Sequence, residues 1–390
     1  MTLTRPSVPT RTSIDSVRAI QPLLASGGYD NDENNTDPTD NFLLLGETGV
    51  QRIFVPREFG GEWDGNEYSG WRELIETMVA IGTGDGPTCQ NWGTTSMAAR
   101  SILGATDLLP ETTRREIARR ILEENLRICE ANAETGVTRP MTARRVEGGI
   151  VLTGTKSFVT NSGGQGLANV GTAIEGETER YHAIVDLSDP ALVQRHDWDN
   201  MGQRGTQSQT IVFDDVFVAD GWYYEAHWPA APLNGAVILL HASLNQGIGQ
   251  GAFVELLKYA GSMTRGSLPR FTSPIDDPMM TRRIGELSAK LAAGRALLFD
   301  AASQLENFDG SSDPAEVTAA AFRAKIVSVA ASLDVSSELF EITGARSTSN
   351  KYRFDRFWRN ARTFASHDPS DAKAVFVGEH ELNALTSTSR

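Results

Sequence analysis

The chain of 390 residues is poor in cysteine and contains no long apolar run. Its two cysteines, Cys89 and Cys129, have neither the spacing of a metal site nor the number needed for a disulfide framework. This usage is typical of a reducing compartment, so we expect a cytoplasmic protein. No run approaches the roughly 18 apolar residues of a membrane span, and residues 1–13 lack the apolar segment of a secretory signal.

Positive charge is also scarce. Lysine and arginine number 36 against 50 aspartate and glutamate residues, which gives a net charge of −14. Nucleic acids and anionic membranes bind clustered cations, so neither is an expected partner. The six histidines have no metal-ligand spacing, and no metal site is predicted. No Gly-x-Gly-x-x-Gly fingerprint follows a predicted strand, which argues against a bound NAD(P)H.

The periodicity of the apolar residues divides the chain into three regions. Residues 1–125 have helical spacing, residues 126–228 alternate as strands do, and residues 229–390 form long alanine-rich helices. The acidic stretch 27–41, rich in turn-forming residues, is predicted to be a loop. The order of elements predicts an α+β protein with a helical bundle at its C-terminal end.

One stretch, GTKSFVTNSGG from Gly154 to Gly164, combines a strand with a glycine-rich turn. Side chains repeat every second residue along a strand, so Lys156, Phe158 and Thr160 are expected on one face. A flat ring, a hydroxyl and strand backbone groups suit a planar heteroaromatic ligand such as an isoalloxazine. An ordinary edge strand with a polar turn fits the same residues.

The Gly-Thr-Lys-Ser-Phe-Val-Thr-Asn run resembles the flavin-facing strand of the acyl-CoA dehydrogenase superfamily, and the order of helices, strands and helices is similar too. The resemblance implies an N-terminal helical domain (1–125), a central β-barrel or sandwich domain (126–228) and a C-terminal four-helix bundle (229–390). It also implies that Phe158 lies along the flavin and that Thr160 reaches the flavin N(5) edge.

The dehydrogenases of this superfamily need a carboxylate base, which stands on the first bundle helix or in the loop before the last helix. Here no acidic residue occurs between Glu225 and Glu255, and the predicted loop 356–369 contains no glutamate. His367 stands there instead. The run Arg-Phe-Trp-Arg-Asn-Ala-Arg-Thr at 356–363, followed by His-Asp-Pro, resembles the group D flavin-dependent monooxygenases.

Those enzymes take reduced flavin from a separate reductase and oxygenate a small organic substrate through a hydroperoxyflavin. The resemblance assigns catalytic roles to His367, as proton donor, and to Thr160, at the flavin edge. Histidine suits the first role because it titrates near neutral pH. The run from Trp198 to Ser208 is similar as well, and implies that both of these residues border the flavin.

Two arginines match phosphate-binding positions of the relatives. Arg265 follows the first bundle helix, and Arg346 is expected to reach across a subunit interface of a homotetramer. Guanidinium groups suit phosphate recognition. Gly344-Ala-Arg replaces the glycine-rich segment of the FAD enzymes, which favours reduced FMN, with FAD as the alternative.

Glu130 occupies the position of a flavin-facing asparagine in the relatives, and a carboxylate there could bind an amine. The sequence therefore leaves N-, S- and C-oxygenation open. It also leaves two other functions: an acyl-CoA dehydrogenase with an atypical base, and a non-catalytic flavin-fold binding protein.

Overall fold

The computed structural model describes residues 14–104 and 108–388, so the expectation about residues 1–13 lies outside the described part. The chain begins with helices that pack around a shared apolar core. They are α1 (Ile14–Asn34), α2 (Thr39–Thr48), α3 (Trp71–Gly84), α4 (Gly86–Gly104) and α5 (Glu111–Glu124). None of the described helices is long and apolar enough to cross a membrane.

The loop predicted at residues 27–41 is wrong for most of its length, because α1 continues to Asn34. Turn-forming residues are poor helix formers, but tertiary contacts outweigh so small a preference. Asp32 is almost fully buried and accepts two hydrogen bonds, of 2.6 and 2.9 Å, from the Arg359 guanidinium. Gly28 packs so closely on Asp85 that a larger side chain would collide with it.

The central region is a sandwich of two four-stranded sheets, ordered β1-β4-β5-β8 and β2-β3-β7-β6. All pairs are antiparallel except β1 with β4. Apolar side chains from both sheets form one core between them. The strands are β1 (Arg127–Ala131), β2 (Thr142–Val146), β3 (Gly149–Val159), β4 (Gly166–Ala173), β5 (Arg180–Asp186), β6 (Leu192–Gln194), β7 (Gln209–Ala219) and β8 (Tyr223–Glu225).

The chain then returns to helices, of which the first packs against α3 as well as against its own bundle. The close approach to α3 depends on glycine, because a Cβ atom at Gly247 would stand 2.8 Å from the Gly82 Cα. The helices are α6 (Leu233–Gly261), α7 (Pro278–Glu306), α8 (Pro314–Thr343), α9 (Asp355–His367) and α10 (Ser370–Thr388).

The predicted loop 356–369 is wrong, because α9 occupies residues 355–367. Its buried residues include Phe357, Ala361 and Phe364, a spacing of four and three that places them on one helical face. His367 is therefore the last residue of a helix. It is not held in an extended loop.

Candidate active site

Two adjoining cavities lie where α3, α4, the β3 end of the sandwich, α6 and α9 meet. The inner cavity has a volume of about 280 Å³ and the outer cavity about 600 Å³. They share six lining residues: Gln90, Ala133, Phe158, Thr160, Phe364 and His367. Three of the residues predicted from the sequence, Phe158, Thr160 and His367, thus stand at the boundary between two spaces.

Phe158 has an unusual backbone conformation that turns its ring towards the cavities. Its φ is 53°, in the left-handed region that a bulky residue rarely adopts, and the β3–β7 register shifts between Lys156 and Val159. About 52% of Phe158 is exposed. A strained, exposed aromatic residue at a bulge is typical of a binding site.

The same bulge contradicts one expectation, that Lys156 shares a face with Phe158 and Thr160. Lys156 is fully buried and lines neither cavity. Its Nζ donates to Glu134 Oε1 at 2.5 Å and to the Asn132 carbonyl oxygen at 3.4 Å. Strict alternation fails because the register shift inserts an irregularity between Lys156 and the end of β3.

Thr160 and Ser208 belong to a short chain of hydroxyl groups. The Thr160 Oγ1 lies 2.9 Å from Ser208 Oγ, which in turn lies 2.8 Å from Thr206 Oγ1. Thr206 Oγ1 also donates to the Gln203 carbonyl oxygen at 2.8 Å. Hydroxyl groups can each donate and accept, so the chain can reorient towards a ligand.

Trp198 lines the outer cavity next to Phe158. Its ring meets Phe158 edge to face with centroids 6.3 Å apart, and its Nε1 donates to the Gln203 carbonyl oxygen at 2.9 Å. Polar atoms without a hydrogen-bond partner among the described residues border the same space: both amide atoms of Gln203, and Thr363 Oγ1. Buried polar atoms are normally satisfied, so these mark a place for a polar ligand.

Glu130 lines the inner cavity only. Its carboxylate accepts from Asn169 Nδ2 at 2.9 Å and from Asn132 Nδ2 at 3.1 Å. Glu130 is partly buried in the cavity wall, and burial raises its pKa to about 7 despite the two amide donors. No lysine or arginine of the described residues lines this cavity.

His367 stands at the end of α9 with its ring stacked on Phe364, at an interplanar angle of 4° and a centroid distance of 5.7 Å. A second imidazole, that of His241 on α6, meets it edge to face at 5.4 Å and lines the inner cavity. Burial lowers the pKa of both histidines, that of His241 to about 4. Both rings are therefore neutral at physiological pH.

Sequence analysis missed His241. It is the one histidine of the apolar helix α6, and the sequence alone does not distinguish it from the other histidines of the chain. Asp368, which accepts from Lys325 Nζ at 2.5 Å and from Lys373, was missed as well. His241 Nδ1 lies 3.7 Å from Asp368 Oδ2. Burial alone would raise the pKa of Asp368, but the contacts with His241, Lys325 and Lys373 outweigh it and hold that pKa well below its usual range. An ionised carboxylate thus stands behind the two neutral rings.

The two arginines expected at the flavin phosphate lie away from these cavities. Arg265 and Arg346 are both exposed, and neither lines the inner or the outer cavity of this chain. Arg265 follows α6 and Arg346 follows α8. Their assigned role stays a prediction.

Known proteins resemble this chain over nearly its whole length. Residues 239–371 match the family described as "Acyl-CoA dehydrogenase, C-terminal domain". The dibenzothiophene monooxygenase of Mycolicibacterium goodii is 28% identical over 415 residues, covering 98% of each chain. The chain is a homologue of flavin-dependent monooxygenases.

A probable FMNH2-dependent monooxygenase, SfnC of Pseudomonas putida, is 26% identical, covering 97% of this chain and 96% of its own. The structure of TdsC from Paenibacillus sp. A11-2 with FMN and indole superposes with a TM-score of 0.82 at 22% identity, over 95% of this chain and 97% of that one. The predicted acyl-CoA dehydrogenase-like fold, enzyme class and FMN cofactor are confirmed.

Proposed function

We propose that this protein is the oxygenase of a two-component system, which receives reduced FMN from a separate flavin reductase and uses it with O2 to oxygenate a small organic molecule. FAD is the second possible flavin. The observation that carries the proposal is the pair of cavities separated by Phe158, Thr160 and His367. Two free, buried cysteines fit the cytoplasm as its location.

The outer cavity is the flavin site in this proposal, and its residues fit the group. Phe158 and Trp198 offer an apolar wall to a planar ring system. The unpartnered Gln203 amide and Thr363 hydroxyl, with the Thr160–Ser208 hydroxyl pair, offer both donors and acceptors to its polar edge. When bound, reduced flavin would supply the electrons that activate O2.

The residues of this chain would exclude water and control protons. The side chains of Met78, Met97 and Leu244 give the inner cavity an apolar wall. The neutral His367 imidazole presents one N–H group at the boundary, which can donate a hydrogen bond towards the outer cavity, and one bare ring nitrogen, which can accept a proton. His241 packs edge to face against that ring and helps to position it, and the ionised Asp368 lies 3.7 Å from His241 Nδ1.

The flavin preference tests this proposal directly. We expect the purified protein to bind reduced FMN at least about tenfold more tightly than oxidised FMN, and to show no NAD(P)H oxidation without added reductase. Anaerobic titration of both redox states, followed by tryptophan fluorescence, measures the two affinities. Stoichiometric FAD that survives purification, together with direct reduction by NADPH or an acyl-CoA, would contradict the proposal.

We also propose a homotetramer in which Arg346 of one subunit approaches the flavin phosphate of another. Arg346 is exposed at the end of α8, and α10 exposes Val375 and Leu382 by 60% and 64%, an apolar surface that a second copy could cover. Light scattering at micromolar concentration should give the mass of four chains. A monomer in that experiment would leave Arg346 without this role.

A further inference from the structure

The inner cavity combines an apolar wall with acceptors that have no cation to neutralise them. Glu130 is the one carboxylate in its lining among the described residues. Gln90 belongs to the same lining, and its Oε1 is buried without a hydrogen-bond partner. The buried cation Lys156 is paired with Glu134 and lines neither cavity. A buried carboxylate is costly unless it is paired.

The hydrogen bonds around Glu130 orient it for a ligand. Asn169 Nδ2 donates to Oε1 and Asn132 Nδ2 donates to Oε2, so each carboxylate oxygen has one donor and keeps a free lone pair. Asn169 Oδ1 accepts from the Tyr224 hydroxyl at 3.2 Å, which fixes the orientation of that side-chain amide. The carboxylate is thus held in place by neutral donors without being neutralised.

We propose, as an extension of the proposed monooxygenase function, that the inner cavity binds a small, largely apolar substrate through a protonated amine, with the Glu130 carboxylate as its counter-ion. Gln90 Oε1 is the second acceptor for the ammonium group. The volume of about 280 Å³ and the methionine and leucine side chains suit an alkyl or single-ring aryl group. Neutral sulfur compounds have no group that needs a carboxylate.

Binding of matched probes to the flavin-free protein tests this inference at pH 8, where Glu130 is ionised. Benzylamine, benzyl alcohol and methyl phenyl sulfide have similar size and differ in the group presented to Glu130. We expect benzylamine to bind about 10- to 100-fold more tightly than the other two, as for hydrogen bonds to a charged group. Isothermal titration calorimetry measures all three affinities.

Variants test whether the preference for benzylamine depends on Glu130. Glu130→Gln should remove most of the preference for benzylamine, whereas Glu130→Asp, which keeps the charge, should retain a preference. Glu175→Gln is the matched control, because Glu175 is exposed on the same sandwich and lines neither cavity. Equal binding of the three probes, no benzylamine binding at millimolar concentration, or an unchanged preference in Glu130→Gln would overturn the inference.

This experiment separates the inference from the function on which it rests. Probe binding is measured without flavin, while the affinity for reduced FMN is measured on its own. A protein that prefers benzylamine through Glu130 but fails to bind reduced FMN would contradict only the oxygenase proposal. A protein that binds reduced FMN and ignores the amine would contradict only the assignment of the substrate class.

Discussion

Replacing His367 with alanine is expected to lower substrate oxygenation by at least about 100-fold while leaving the fold intact. A positioned proton donor or acceptor contributes typically 10²–10⁴-fold to a rate. His367 stands at the boundary of the two cavities and is neutral because burial lowers its pKa, so one ring nitrogen can donate a hydrogen bond and the other can accept a proton. Product and hydrogen peroxide formed per reduced FMN consumed, in the presence of a flavin reductase, measure the effect.

The position of His367 explains why stability should change little. One side of the His367 ring packs on Phe364 and His241, but the residue is open to solvent at the cavity boundary, so its removal leaves no closed void. Thr160→Val is a comparison variant with a smaller expected effect. The loss of one neutral hydrogen bond, worth about 0.5–1.5 kcal/mol, should raise peroxide release only about 2- to 13-fold. A lower melting temperature with normal specific activity in His367→Ala would assign His367 a structural role instead.

The two histidines have different roles in the proposed mechanism. His241 lines the inner cavity only and contacts the ring of His367, so we propose a positioning role for it. Asp368 is anchored by two lysines, one of which, Lys325, is 1% exposed. Asp368 Oδ2 lies 3.7 Å from His241 Nδ1, and the His241 ring meets the His367 ring edge to face, so His241 contacts both groups.

Local patterns predicted most of the secondary structure but not its irregular points. The bundle helices were predictable because their apolar spacing is sustained over many residues, as in α8. The end of α1 was not, since its acidic, glycine-containing last turns are held by Arg359 and Asp85, which are distant in sequence. Helix α9 was misread although Phe357, Ala361 and Phe364 have helical spacing.

The site also contains residues that the sequence could predict and arrangements that it could not. Phe158, Thr160, Ser208, Trp198 and Glu130 were predictable from motif resemblance, and the structure places each in a cavity wall. The pairing of His241 with His367 depends on how α6 crosses α9, which no local pattern encodes. The orientation of Phe158 depends on a bulge, which alternation alone cannot predict.

Glu130→Gln is expected to stabilise the protein at alkaline pH and to have little effect near pH 4.5. Burial raises the pKa of this carboxyl from 4.5 to about 7, so the folded protein keeps a proton that the unfolded chain loses between these values. Stability therefore falls as pH rises through this interval and stays lower above it. The difference in pKa corresponds to a cost of about 3 kcal/mol at pH 8, which the glutamine variant lacks.

Melting temperatures of the wild type, Glu130→Gln and the exposed control Glu175→Gln, measured from pH 5 to pH 9 at one protein concentration, resolve this effect. The advantage of Glu130→Gln should grow between pH 5 and pH 7 and then level off, while the Glu175→Gln curve stays parallel to the wild type. Groups shared by all three proteins, such as His241, cancel in the comparison. An advantage that is constant across this range would mean that Glu130 titrates as an ordinary carboxyl. A benzylamine concentration that saturates the wild type should raise its melting temperature at pH 8, because the ammonium group supplies the missing counter-charge and stabilises the folded state.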